Sequence, residues 1–214
     1  MEDEEFIDKI ERSLRVLFLK AQAKDELQFA MSLMPEFRGM QDAGWNTAQE
    51  AVWAFDDFIA LLNVMDKAAR VRTRVALMFY AHMAEGAGFY EIPKKMLLTI
   101  EGRGNSQFPF AALVEKHRKT GENIAPNAGK IMKDLIGHSI ELGLLELAEV
   151  WRDTFDSELR NAIAHADYVI WKDGIRLPKR NGGTGRLEPP RDCRRLQLLR
   201  RWSHDEQDHE QVLA

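Results

Sequence analysis

Apolar side chains recur three and four positions apart along most of this chain, and that spacing places them on one face of an α-helix. The alternation of strands and helices that builds a nucleotide-binding α/β fold is missing. The pattern therefore predicts an all-α fold, a helical bundle of seven to eight helices. The predicted helices cover residues 4–34, 47–65, 67–85, 91–101, 109–120, 128–142, 144–166 and 192–202.

One small C-terminal β-hairpin is predicted at about 168–177. Two short runs, Tyr168–Trp171 and Ile175–Leu177, flank an Asp173-Gly174 pair that is typical of a hairpin turn. The hairpin would close a single helical domain over residues 1–177. Glycines and prolines follow it, so residues 178–214 are predicted to form a basic loop and a C-terminal helix or tail.

Composition limits the class of protein. The chain has 214 residues, 45% of them hydrophobic, which suffices for one substantial core. Its single cysteine, Cys193, excludes an internal disulfide framework and is typical of a reducing compartment. The first residues are acidic, unlike the basic start of a signal peptide, and no apolar run approaches the ~20 residues of a membrane span. We expect a cytoplasmic protein that does not enter a membrane.

Charge is distributed unevenly along the chain. Residues 1–65 hold 13 acidic and 6 basic side chains, a balance of −7. Residues 172–201 hold 10 basic and 3 acidic side chains, a balance of +7, although the net charge of the whole chain is −4. This basic block either holds a phosphate backbone or is a solvated tail that balances the acidic half. The first hypothesis assigns RNA binding to Lys179, Arg180, Arg194 and Arg195.

The segment Arg160-Asn-Ala-Ile-Ala-His165 places an arginine and a histidine five positions apart. Arginine supplies a permanent cation and histidine transfers protons near neutral pH, so together they can act on one phosphodiester.

The motif would lie on the outward face of a continuous helix, where Arg160, Asn161, Ala164 and His165 span an arc of roughly 140°. That arc continues as Val150, Asp153, Thr154 and Ser157. The opposite stripe, predicted to be buried, contains Leu144, Ala148, Trp151, Phe155, Leu159, Ile163 and Ala166. An outward face of such small residues favours a site at a subunit interface.

The ten residues Leu159-Arg-Asn-Ala-Ile-Ala-His-Ala-Asp-Tyr168 resemble the Arg-x(4–6)-His signature of the HEPN superfamily of small helical proteins. In that family a polar residue, often asparagine, follows the arginine. The resemblance implies that the motif helices of two protomers pair, and that the composite site cleaves RNA without a metal. Elsewhere the likeness is only architectural: a long helical chain, a late motif and then a hairpin.

The resemblance assigns catalytic roles to Arg160, Asn161 and His165. His165 would be the general base or acid, Arg160 would clamp the scissile phosphate, and Asn161 would orient the imidazole or bind the phosphate. The competing hypothesis is a non-catalytic dimerisation module that binds RNA, a nucleotide or a regulatory partner protein. A third hypothesis is a toxin-like ribonuclease silenced by an antitoxin.

No cofactor and no metal site are expected. The glycine-rich segments 102–105 and 182–185 lack the Gly-Lys-Ser/Thr ending of a phosphate-binding loop. His204 and His209 are five apart, and with Cys193 distant they do not form a four-ligand zinc set. His82, His117 and His138 are predicted to be surface residues or satisfied core residues.

Overall fold

The computed structural model describes residues 2–34, 47–65, 69–171 and 174–177. They are mostly helical, as predicted, with two short antiparallel strand pairs. The helices are α1 (Glu2–Lys24), α2 (Glu26–Leu33), α3 (Thr47–Val64), α4 (Ala69–Glu85), α5 (Ala87–Glu101), α6 (Ala128–Glu141), α7 (Leu145–Thr154) and α8 (Ser157–Ala164). The strands are β1 (Glu115–Lys116), β2 (Asn123–Ile124), β3 (Val169–Trp171) and β4 (Gly174–Arg176). The predicted basic loop and tail over 178–214 lie outside the described residues.

The chain forms two compact units. The first is made of the described residues of Met1–Ala51 and Glu85–Phe155, and the second of those of Val52–Ala84 and Asp156–Ala214. Within the described ranges, none of the helices combines the length and the apolar composition needed to cross a bilayer.

The first unit is built around α1, which packs against α2, α5 and α7, while α6 packs against α5 and α7. Each of these helices contributes an apolar stripe to one core. Its fully buried members include Leu17, Met96, Leu97, Leu135 and Leu147. Ion pairs on the surface add to the contact between α1 and α7. They join Lys9 to Glu149, at 2.9 Å between Nζ and Oε2, and Arg12 to Glu146.

The second unit has two smaller apolar clusters. In one, Phe58 of α3 stacks on Phe79 of α4, with ring centroids 3.9 Å apart. In the other, Leu77 of α4 meets Leu159 and Ile163 of α8 and Ile175 of β4. This second cluster fixes α8 between α4 and the β3–β4 hairpin.

Two predicted helices are each interrupted at an aspartate. The helix predicted over 4–34 breaks at Asp25, whose Oδ1 accepts a hydrogen bond from the Gln28 backbone N–H at 3.0 Å and starts α2. The helix predicted over 144–166 breaks at Phe155 and Asp156, where the chain passes from the first unit to the second. In both places a side-chain cap satisfies backbone donors that a continuous helix would have paired internally.

The helix predicted over 109–120 is wrong. The chain instead forms a single turn of 3₁₀-helix at Ala111–Leu113 and the β1–β2 pair. In this segment Phe110 is buried but residues 115–125 are exposed, so a helix here would have no apolar face to bury. The prediction of one hairpin must accordingly be corrected to two strand pairs.

The predicted start of α5 is also corrected. This helix starts at Ala87 rather than Glu91, so Pro93 lies inside the helix and not in its first turn.

Candidate functional site

The helix that carries the arginine–histidine motif, α8, begins at a doubly anchored cap. Asp156 Oδ1 accepts hydrogen bonds from the backbone N–H groups of Glu158 and Leu159, at 2.8 and 2.9 Å. The Tyr80 hydroxyl accepts one from the Asp156 backbone N–H at 2.8 Å. A tyrosine distant in sequence therefore holds the N-cap residue of the motif helix in place.

One face of α8 is buried, as the apolar stripe predicts. Leu159, Ala162 and Ile163 are each at most 8% exposed. Leu159 and Ile163 belong to the cluster that includes Ile175, and Tyr168 packs against this cluster. Tyr168 therefore closes the core. The predicted stripe is wrong at Ala166, which is exposed because the helix ends before it.

The residues of the predicted outward face do not all face solvent. Ala164 and His165 are exposed, whereas Arg160 and Asn161 are half-buried. The Arg160 Nη1 donates a hydrogen bond to the Asn161 Oδ1 at 2.7 Å. The asparagine side chain thus holds the arginine and not the histidine. Because α7 and α8 are separate helices, the outward arc does not continue to Val150, which is buried.

His165 lies at the very end of α8. It is the C-terminal cap residue, and its backbone N–H donates to the Asn161 carbonyl at 3.0 Å. Among the described residues, none forms a side-chain hydrogen bond with its imidazole. An exposed imidazole without a side-chain partner is accessible to a substrate for proton transfer.

The backbone turns sharply just after the histidine. Ala166 has φ +55°, the left-handed region that favours glycine. Its N–H donates to the Ile163 carbonyl at 3.1 Å, and the Asp167 N–H donates to the Ala162 carbonyl at 2.7 Å. This pair of bonds is a Schellman motif, in which the αL position is usually occupied by glycine. The strain lies directly beside the candidate catalytic residue.

The structure brings Arg160 and Asn161 into direct contact and places His165 at the end of the same helix. Lys179, Arg180, Arg194 and Arg195, predicted to bind RNA, lie outside the described residues. Across the ranges the structure covers, no three His, Cys, Asp or Glu side chains are grouped as metal ligands would be.

Sequence reasoning missed a second polar cluster, in the first unit, where Lys94 and Glu101 of α5 meet Asp134 and His138 of α6. The Lys94 Nζ lies 2.7 Å from the Asp134 Oδ2 and 3.0 Å from the His138 Nδ1. The His138 Nε2 lies 3.2 Å from the Glu101 Oε2, without the alignment of a hydrogen bond. We call these four residues the α5–α6 ladder. Two pairs at helical spacing, seven apart on α5 and four apart on α6, were the only local sign of it.

The electrostatics of the α5–α6 ladder favour the neutral form of its histidine. Burial lowers the pKa of His138 below the usual value of 6.5, and the neighbouring Lys94 cation lowers the pKa further. The carboxylates of Glu101 and Asp134 act in the opposite direction. A lysine ammonium can only donate, so Nδ1 is the acceptor and the imidazole proton resides on Nε2, which faces Glu101.

The chain matches no protein-family model, no curated protein and no solved structure. A function must therefore be argued from the chemistry of its own residues.

Proposed function

We propose that this protein is a metal-independent endoribonuclease of the HEPN type, acting in the cytoplasm. We also propose that the whole chain folds as a HEPN-like bundle of seven to eight helices. The observation that carries it is the arrangement on α8. There Asn161 holds the Arg160 guanidinium, and the His165 imidazole is exposed at the helix end.

In the proposed reaction, the ribose 2′-hydroxyl attacks the neighbouring phosphorus. A bond forms between the 2′-oxygen and phosphorus, and the bond from phosphorus to the 5′-oxygen breaks, which leaves a 2′,3′-cyclic phosphate. His165 takes the proton of the 2′-hydroxyl or returns one to the leaving 5′-oxygen. Arg160 stabilises the charge that grows on the phosphate oxygens, which the fork of its guanidinium can contact in pairs.

A homodimer completes the proposed site. Residues five apart on a helix are separated by about 7.5 Å along its axis and ~140° around it. Arg160 and His165 of one protomer therefore lie at opposite edges of the face that also contains Asn161 and Ala164. Pairing of two motif helices about a twofold axis brings the arginine of one copy toward the histidine of the other. The exposed Ala164, between them on this face, leaves room for a close approach.

The dimer is tested by a charge placed at its centre. Ala164→Glu is expected to yield a folded monomer, because it introduces two carboxylates at a twofold contact. Ala112→Glu, at an exposed alanine of the first unit, is the matched control and should leave the mass of the assembly unchanged. Light scattering that finds the unaltered protein monomeric at micromolar concentration would contradict the composite site.

Cleavage is tested by incubating the purified protein with mixed RNA, with and without EDTA. We expect fragments with 2′,3′-cyclic phosphate ends in both samples, and no cleavage where hydrogen replaces the 2′-hydroxyls. A metal requirement, or the absence of cleavage on every RNA tried, would overturn the proposal.

A second candidate function is a non-catalytic module that binds RNA, a nucleotide or a regulatory protein such as an antitoxin. The half-buried, asparagine-bound guanidinium of Arg160 favours it, because an arginine held by its neighbour can have a structural role without any substrate. RNA binding without cleavage would distinguish this candidate from the ribonuclease.

A further inference from the structure

The β3–β4 hairpin has two chemically different faces. Ile170 and Ile175 are paired across the strands and turn inward to the cluster that contains Leu159 and Ile163. Because successive side chains of a strand alternate, Val169 and Trp171 lie on the opposite face. Val169 is 52% exposed and Trp171 is 55% exposed. Burial of these two apolar side chains would stabilise so small a unit, yet neither is covered.

A cation lies on this exposed face. Arg176 is paired with Val169 and therefore shares its side of the hairpin. The Arg176 guanidinium carbon lies 4.8 Å from the centre of the Trp171 ring, a cation–π contact. We call Val169, Trp171 and Arg176 the outer hairpin face.

The hairpin that carries this outer face packs against the motif helix α8. The opposite side of the hairpin rests on Leu159 and Ile163 of α8. Leu159 directly precedes Arg160, and Ile163 follows Asn161 by two positions. Val169 follows His165 by four residues, so their Cα atoms are at most about 14 Å apart. A single-stranded ligand on this face could therefore extend to the imidazole.

We propose that the outer hairpin face is a base-stacking platform for single-stranded RNA. Trp171 stacks on an unpaired nucleobase of the strand that reaches the motif, and Arg176 adds a positive charge next to that base. Every nucleobase has a π-face, and a neighbouring arginine supplies both stacking and attraction to phosphate. The occupant follows from charge: an exposed tryptophan under a guanidinium complements an anionic polymer of aromatic bases better than it complements a neutral apolar surface. This inference rests on the proposed function for the identity of the ligand.

The test measures binding apart from cleavage. The probe is a short, fluorescently labelled 2′-O-methyl oligouridylate, which cannot undergo attack by a 2′-hydroxyl. Its binding to the full chain is followed by anisotropy at fixed salt, because phosphate contacts make the affinity depend on salt. We expect Trp171→Ala to weaken binding about tenfold, the effect of one lost stacking contact, and Trp171→Phe to retain most of the affinity.

The matched control is Trp53→Ala. Trp53 of α3 belongs to the same unit and is 57% exposed, yet it has no place on the hairpin. We expect its removal to leave the affinity unchanged. Equal affinities of Trp171→Ala and Trp53→Ala would overturn the proposal. So would loss of the dimer in Trp171→Ala, which would assign the outer hairpin face to a subunit contact.

A measurement on the parent keeps the test decisive if Trp171→Ala does not fold. Stacking on the probe should quench tryptophan emission in the parent more than in Trp171→Phe, and equal quenching would again overturn the platform. The outcome is distinguishable from failure of the proposed function. Cleavage with unchanged binding by Trp171→Ala removes the platform alone, whereas Trp171-dependent binding without any cleavage removes the ribonuclease alone.

Discussion

Two histidines near helix ends, His138 of α6 and His165 of α8, have opposite surroundings. His138 is 7% exposed, and its ring contacts Lys94 and lies near Glu101. The His165 ring is exposed and, within the described part of the chain, has no side-chain hydrogen bond. A histidine whose two ring nitrogens face fixed protein groups stabilises a helix contact, whereas one with both nitrogens accessible is available to a substrate.

The helices that carry these two histidines also differ in how they are packed. The first unit has one large core, in which α6 packs against both α5 and α7. The eight-residue α8 instead depends on a small apolar cluster, an aspartate cap and the Tyr80 hydroxyl. Functional residues are commonly drawn from the less stable parts of a protein, since these can adjust to a ligand. We therefore expect the α5–α6 ladder to contribute to stability and, under the proposed function, the end of α8 to supply the chemistry.

The largest expected effect is on cleavage. His165→Ala should reduce the single-turnover rate on RNA by ~10²–10⁴-fold, because proton transfer is lost. The unfolding temperature should stay unchanged, because the ring is exposed. Arg160→Lys is the companion variant and should retain little activity, since it keeps the charge but loses the fork that contacts two phosphate oxygens. If His165→Ala cleaves like the parent, the assignment of chemistry to α8 is wrong.

The next largest effect is on the stability of the α5–α6 ladder. Lys94→Ala should lower the free energy of unfolding by about 3 kcal/mol, because it leaves the Asp134 carboxylate, 24% exposed, without the nearby cation. The control is Lys130→Ala, which removes an equally short but exposed ion pair with Glu115, 2.7 Å between Nζ and Oε1. That control should cost less than about 1 kcal/mol in urea unfolding. Equal losses would show that burial does not distinguish the two pairs.

The pH dependence of stability gives a smaller effect, which tests His138 itself. Its pKa is lowered in the folded chain, so the unfolded chain binds the extra proton first as the pH falls. Stability from this group is fully present above the unfolded pKa of about 6.5 and is lost as the pH falls toward the folded value. The slope from one proton is at most about 1.4 kcal/mol per pH unit.

His138→Gln serves as the control for this titration. Its carboxamide oxygen can still accept a hydrogen bond from Lys94, but the side chain does not ionise. Urea unfolding at several pH values between about 5 and 7 should show a shallower slope for this variant. Identical slopes in the parent and in His138→Gln would exclude His138 as the source.

How far the sequence predicts this structure depends on how local the signals are. The start of α6 is predictable from the sequence because Asn127 caps it through its own side chain, which accepts a hydrogen bond from the Lys130 N–H at 3.0 Å. The hairpin is predictable because strand alternation and the Asp173-Gly174 signal lie within ten residues, and its antiparallel pairing is confirmed. The predicted turn is wrong at Gly174, which belongs to β4 and is paired with Trp171. Both cases involve contacts between close neighbours in sequence.

Distant contacts account for the rest. The break before α8 depends on Tyr80 and Asp156, which are 76 positions apart, and the periodicity of the apolar stripe continues across it unchanged. The α5–α6 ladder joins Lys94 to His138, 44 positions apart, so neither helix alone shows that its charged residues have partners. The motif residues were visible in the sequence, but the contact of Asn161 with Arg160 rather than with His165 depends on side-chain conformations that spacing does not determine.

The smallest expected effect concerns the strained turn beside His165. Ala166→Gly should raise the free energy of unfolding by about 0.5–1 kcal/mol, because glycine adopts φ +55° without the steric cost that alanine incurs. Ala164→Gly is the matched control two residues earlier. It lies in ordinary helix and should be destabilising, by up to about 1 kcal/mol. The same substitution should thus have opposite signs at the two positions in thermal or urea unfolding. A loss of stability in both variants would show that the turn after α8 carries no strain. The difference between α8 and the well-packed α6 would then consist of burial alone.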